Sequence, residues 1–176
     1  MANKITTIEM EEAVARFFGY RQNIIVPNVS WGFHIHECDL LVLRKSGHLL
    51  EIEIKISKSD LKKDLEKRHE HVDYYDRVRE FWFAVPEELL DSIDYIPERA
   101  GIIMVYMNEW INEYCCKTVR DPKVNSKAVK LCENEQLMLA RLGTMRIWGL
   151  KRKIIHSKKR KIIQRNKFKE QLKLAI

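Results

Sequence analysis

No apolar run in this chain approaches the roughly 18–20 residues that a membrane-crossing helix needs. No apolar stretch follows Met1-Ala2-Asn3-Lys4, so no secretory signal is expected. Cysteine is scarce. Cys38, Cys115, Cys116 and Cys132 have no zinc-ligand spacing. They read as reduced thiols of a cytoplasmic protein, with adjacent Cys115 and Cys116 as strand residues in preference to a redox pair. No long-period repeat is present. Acidic residues are nearly missing from one end, because residues 151–176 contain only Glu170.

That last scarcity sets the charge balance. The same 26 residues hold eleven bases: Lys151, Arg152, Lys153, Lys158, Lys159, Arg160, Lys161, Arg165, Lys167, Lys169 and Lys173. The tail therefore carries +10 and the remaining 150 residues carry −3, within a net +7. Such an asymmetry points to a polyanionic partner for one end of the chain. The length of 176 residues suits one domain with an appendage. The division expected is a body over 1–150 and a basic tail over 151–176. An apolar fraction of 45% beside a charged fraction of 32% is that of a globular chain with a real core.

The most informative stretch is Glu37-Cys38-Asp39-Leu40-Leu41-Val42-Leu43, a short turn, then Leu49-Leu50-Glu51-Ile52-Glu53-Ile54-Lys55. Two runs rich in Leu, Ile and Val around Arg44-Lys45-Ser46-Gly47-His48 read as a β-hairpin. Alternation puts Leu50, Ile52, Ile54 and Ile56 on one face and Glu51, Glu53 and Lys55 on the other. A three-residue loop, Lys45-Ser46-Gly47, with Gly47 left-handed, sets the register. Leu43 then faces Leu49, Leu41 faces Glu51, and Asp39 faces Glu53. Directly opposed carboxylates about 4.5–5.5 Å apart at Cβ repel unless a cation lies between them. The pattern predicts a divalent-metal site with a lysine at its edge.

Asp39 followed by Glu53-Ile54-Lys55 across a short hairpin resembles the PD-(D/E)XK nuclease superfamily. The continuation Ser57-Lys58-Ser59-Asp60-Leu61-Lys62-Lys63-Asp64, then Phe81-Trp82-Phe83-Ala84-Val85-Pro86, is most similar to its MmcB-like group of DNA-repair proteins. The resemblance covers roughly residues 35–106. Cys38 stands where the superfamily's name has proline. The resemblance implies an α/β fold, with a restriction-endonuclease-like mixed β-sheet flanked by helices, ahead of the basic, helical C-terminal tail. It implies Asp39, Glu53 and Lys55 as catalytic residues. Mg²⁺ or Mn²⁺ would be held by Asp39, Glu53 and the carbonyl of Ile54, with Glu51 available to a second ion. Metal-dependent hydrolysis of DNA in repair or processing is the function implied. The alternatives are a non-cleaving DNA-binding accessory on the same fold and an RNA-binding protein.

The rest of the chain serves that core. Thr7 can cap a first helix ending near Gly19, with Ile8, Ala15 and Phe18 as its apolar stripe. Glu11 or Glu12 is either a plain packing-helix acid or an extra carboxylate for the site. Ile24 to Val29 reads as an edge strand because of Pro27. Trp31 and Phe33 read first as core and second as base contacts. His34 and His36 have the wrong parity to join Asp39. Ser57 or Ser59 caps a helix running to about Tyr75. Its Asp60, Asp64 and Arg68 form either a solvated face or a support for Lys55, and Leu61 and Leu65 form its buried side. Strands follow at 81–85 and 101–106, with a short helix at 87–92 between them and a third strand within 109–119. Helix is expected from Ser126 onward. The tail is expected to bind nucleic acid through Lys151, Arg152, Lys153, Lys158, Lys159, Arg160, Lys161 and Arg165, as a basic helix with interspersed isoleucines. A membrane-surface helix and an unstructured tail are the other readings. DNA is the expected partner, and RNA and a second copy of the chain are also compatible with the sequence.

Overall fold

The computed structural model describes residues 4–30, 32–35, 37–66 and 76–174. Six strands form one mixed sheet in chain order: β1 (Ile24–Val29), β2 (Cys38–Leu43), β3 (Leu49–Ile54), β4 (Val78–Pro86), β5 (Gly101–Asn108) and β6 (Glu113–Arg120). The pairs β1–β2, β2–β3 and β5–β6 are antiparallel, while β3–β4 and β4–β5 are parallel. Parallel neighbours need a crossover. Helix α2 (Lys58–Glu66) lies in the first and a 3₁₀ segment (Glu87–Tyr95) in the second. The α/β class and the mixed, helix-flanked sheet are as the sequence predicts.

Two cores follow from this layering. Helix α1 (Thr7–Phe17) brings Met10, Ala13 and Val14 onto one face, over Leu40, Val42, Leu50, Ile52, Ile54 and Ala84. The other face carries Leu41, Leu49, Phe81, Phe83 and Ile102 under Leu61 of α2 and Leu139 and Leu142 of α3 (Glu133–Leu174). Strand β3 is buried along its whole length, as a strand covered by helices on both faces must be.

The hairpin turn is the one the spacing predicts. Gly47 has φ +85°, Gly47 N–H donates to the Arg44 carbonyl, and Arg44 N–H donates to the His48 carbonyl. Leu43↔Leu49 and Leu41↔Glu51 then pair as expected.

Several local expectations are corrected. Thr6, not Thr7, caps α1, because Thr6 and Glu9 close a reciprocal capping box. Its buried stripe includes Met10, Ala13 and Val14, and Ile8 is 76% exposed. Ser57 caps α2, its hydroxyl accepting Asp60 N–H at 3.3 Å. Trp31, His36, Arg68 and the continuation of α2 toward Tyr75 lie outside the described residues, as do the side chains of Asp64 and Leu65. Phe33 is buried in the core, and His34 is exposed. Residues 126–132 are not helical. The strap leading into them is held by single backbone bonds, Asn125 N–H to Arg79, Val129 N–H to Asp76 and Leu131 N–H to Gly47. Helix begins only where Glu135 reaches back to Cys132 N–H at 2.8 Å. From there α3 runs unbroken for 42 residues, through Leu150, so the basic stretch continues the same helix.

One close contact gives a stability prediction. A Cβ added to Gly101 would lie 2.4 Å from Trp82 Cε3, and Trp82 is itself buried. Gly101→Ala should cost about 1–3 kcal/mol by overpacking. At roughly 2–4 °C per kcal/mol for a chain of this size, that is a fall of roughly 2–12 °C in Tm. A variant melting with the native protein would show that the ring can move aside.

Candidate active site

Strand β3 ends in Glu53-Ile54, with Lys55 just beyond, at the carboxyl end of the parallel strands. The N-terminus of β2 and the C-terminus of β1 lie at this same end, because both ladders are antiparallel. Lys55 N–H donates to the Ala84 carbonyl at 3.0 Å, which fixes the backbone one residue past the strand. Its side chain turns back, and Nζ donates to Glu53 Oε2 at 2.8 Å. Glu51, Glu53 and Lys55 are only 5%, 7% and 8% exposed. Phe83 pairs with Glu53 in the ladder, and its ring centroid is 5.9 Å from Lys55 Nζ. A charged pair over an apolar floor is costly to desolvate and holds only with good geometry.

Asp39 joins the same turn. Its Oδ2 accepts the Ile54 N–H at 2.7 Å, a short, charge-assisted bond. The β2–β3 ladder stops at Leu40↔Ile52, so the Asp39 side chain meets β3 where a backbone acceptor would otherwise stand. Across from it, Asn28 of β1 has φ +54° and falls in the gap between Pro27↔Leu40 and Val29↔Cys38. Asn is one of the few residues that enters this region cheaply. The twist lets both Val26 and Val29 reach the same core.

The first helix contributes Glu11. Burial raises its carboxyl above the usual range, the Asn28 side chain opposes that by hydrogen bonding, and the Asp39 charge raises it further. Glu12 instead pairs with Arg16, which also bonds Glu113 on the far edge strand. Of the two helix acids, Glu11 is the one beside the site. The buried Cys38 thiol is pushed well up, first by desolvation and then by Glu51, Glu53 and Asp39. Three carboxylates therefore act on one sulfur atom, which remains a protonated thiol and a poor nucleophile.

The residues expected to bind nucleic acid lie elsewhere on the molecule. Lys151, Arg152, Lys153, Lys158, Lys159, Arg160, Lys161 and Arg165 are all exposed along α3. That helix packs along β1, with Gly143 facing Val26 and Arg146 donating to the Asn28 carbonyl. It thus runs toward the site end of the sheet and continues past it. Asn28 and Arg146 escaped the sequence reading. The Pro27-Asn28 dipeptide was the one signal for the first, and nothing local marks the second.

Among the described residues, no group of three or more His, Cys, Asp and Glu side chains is gathered to hold a metal ion alone. Mg²⁺ does not require one, since it binds through one or two carboxylates and keeps several waters. The hard oxygen donors of Asp39 and Glu53, tied to one turn, fit that mode.

A family model described as DNA repair protein MmcB-like matches residues 3–153. The chain belongs to the MmcB-like DNA-repair family. The matched span holds the whole site, Arg146 and the first three tail bases, and it stops before Ile154. Among solved structures, the chain is similar to the SPO1766 protein of unknown function from Silicibacter pomeroyi. The TM-score is 0.56 at 17% identity, covering 82% of this chain and 88% of that one. At that identity the likeness concerns the fold alone. None of the curated proteins matches the chain. No helix among the described residues is long and apolar enough to cross a membrane.

Proposed function

We propose that this family member hydrolyses DNA phosphodiester bonds with a divalent metal at the Asp39–Glu53–Lys55 site. The observation that carries the reading is the buried Lys55–Glu53 pair joined to Asp39 through Ile54 N–H, at the carboxyl end of β3 in a member of a DNA-repair family. The PD-(D/E)XK resemblance of these residues supports the same reading. Asp39, Glu53 and the Ile54 carbonyl would hold Mg²⁺ or Mn²⁺, with Glu51 in reserve for a second ion. When bound, the metal supplies an acidified water and charge stabilisation at the phosphate.

The chain's own groups do the rest. Ile54 N–H fixes which way the Asp39 carboxylate faces. Glu53 holds the Lys55 ammonium at the site. That ammonium orients the attacking water and offsets charge as it develops on the phosphate oxygens. The buried walls of β3 and β4 keep bulk water from screening those charges. The exposed bases of α3 grip phosphates without reading sequence.

The test is a cleavage panel on duplex, single-stranded and branched DNA, with Mg²⁺ and with chelator. Cleavage should require the metal and fall at least a hundredfold in Asp39→Asn. Tight DNA binding with no cleavage under any condition would instead establish a non-cleaving repair accessory.

A further inference from the structure

We infer that Trp148 is a stacking platform for an unpaired nucleobase on the outward face of the basic helix α3, so that this helix takes single-stranded DNA. This deepens the DNA reading above and rests on it.

Position comes first. Gly143 and Arg146 dock α3 on Val26 and Asn28 of β1. Asn28 lies across from Asp39 and holds Glu11. Trp148 follows the last of these anchors by two residues, about 200° round the helix, so it projects from the face of α3 turned away from β1. It is 63% exposed, so its ring face is open to a ligand.

Chemistry comes second. From Gln136 through Lys169 the chain contains no acidic residue. Lys151 Nζ sits 4.7 Å from the Trp148 ring centroid, and Arg152 and Lys153 follow. An aromatic face beside several cations is how sequence-tolerant single-strand binding is built: bases stack while the cations follow the phosphates.

A second copy of the chain is the main rival occupant. Trp148, Ile155 and Ile162 recur every seven residues, as one seam of a coiled coil would. The companion seam, three residues on, is Lys151, Lys158 and Arg165. Pairing two such helices would bury like charges, so the spacing favours a polyanion over a twin helix.

The experiment is anisotropy with the full-length protein in chelator, where hydrolysis cannot intervene. The probes are a labelled single strand of about 15 nucleotides and a blunt duplex of the same length. Trp148→Ala should weaken single-strand binding about tenfold and leave duplex binding within about twofold. Trp148→Phe should retain most of the single-strand affinity. The single strand should also quench native tryptophan emission more than that of Trp148→Phe. Equal losses on both probes, no loss on either, or a dimer that Trp148→Ala splits into monomers would overturn the proposal. So would quenching by anionic vesicles but not by the single strand. If the cleavage panel fails while single-strand selectivity still depends on Trp148, hydrolysis is wrong and the platform stands.

Discussion

Lys55→Met should abolish cleavage and also lower the stability of the fold by about 3–5 kcal/mol. The two effects share one cause. Lys55 and Glu53 are buried and bonded at 2.8 Å. Removing the ammonium leaves a buried carboxylate that has lost its bonded cation. At roughly 2–4 °C per kcal/mol for this size, Tm should fall by about 6–20 °C. The double variant Glu53→Gln with Lys55→Met should recover much of that stability, because replacing both partners of a buried pair is far cheaper than removing one. It should recover none of the cleavage. Thermal melts of the native protein, both single variants and the double variant give the coupling directly. If Lys55→Met melts like the native protein, the pair is solvated and its place in the mechanism falls with it.

The second large effect concerns affinity. Replacing Lys151, Arg152, Lys153, Lys158, Lys159, Arg160, Lys161 and Arg165 together by Gln should weaken duplex binding by orders of magnitude at low salt. The native protein should show a slope of about −4 to −6 in log K against log salt, at about −0.9 per neutralised phosphate, if half of the tail's eleven bases touch DNA. The variant should lose about three to four units of that slope. All eight side chains are exposed, and none takes part in the core, so the fold should be unaffected. Asp39→Asn should do the reverse, keeping affinity and slope while losing cleavage. An unchanged salt slope in the eight-base variant would remove DNA as the partner of α3.

The hairpin was legible because its determinants are local. Gly47 tolerates the positive φ that a three-residue loop demands, and strict alternation then assigns Glu51 and Glu53 their face. The layered α/β class followed from the order of the elements, a helix, three strands, a helix and further strands. What could not be read depends on contacts distant in sequence. Glu11 and Glu12 are neighbours with the same chemistry, and only the packing of α1 on the sheet sends one to Asn28 and the other to Arg16. Opposed Asp39 and Glu53 were expected. The ladder breaks first, because Asn28 turns left-handed and Asp39 bonds Ile54 instead. Residues 126–132 look helical by composition, yet Val129 N–H finds the Asp76 carbonyl just ahead of β4 and Leu131 N–H finds Gly47 in the hairpin turn. Arg146 resembles any other surface base until α3 is laid along β1.

The short turn that carries Asp39 and Glu53 also has a kinetic meaning. The two acids are fourteen positions apart and joined by a three-residue loop. A hairpin of this kind closes in about 1–10 μs. The parallel pairing of β3 with β4 must wait for the long crossover between them, and such non-local contacts form late. Asp39 and Glu53 should therefore reach the same end of the hairpin while still hydrated, before Lys55 N–H finds its Ala84 anchor. Electrostatic strain enters only as β4 and α3 close over the hairpin. Mutations that relieve it should speed the late step of folding and leave the early one untouched.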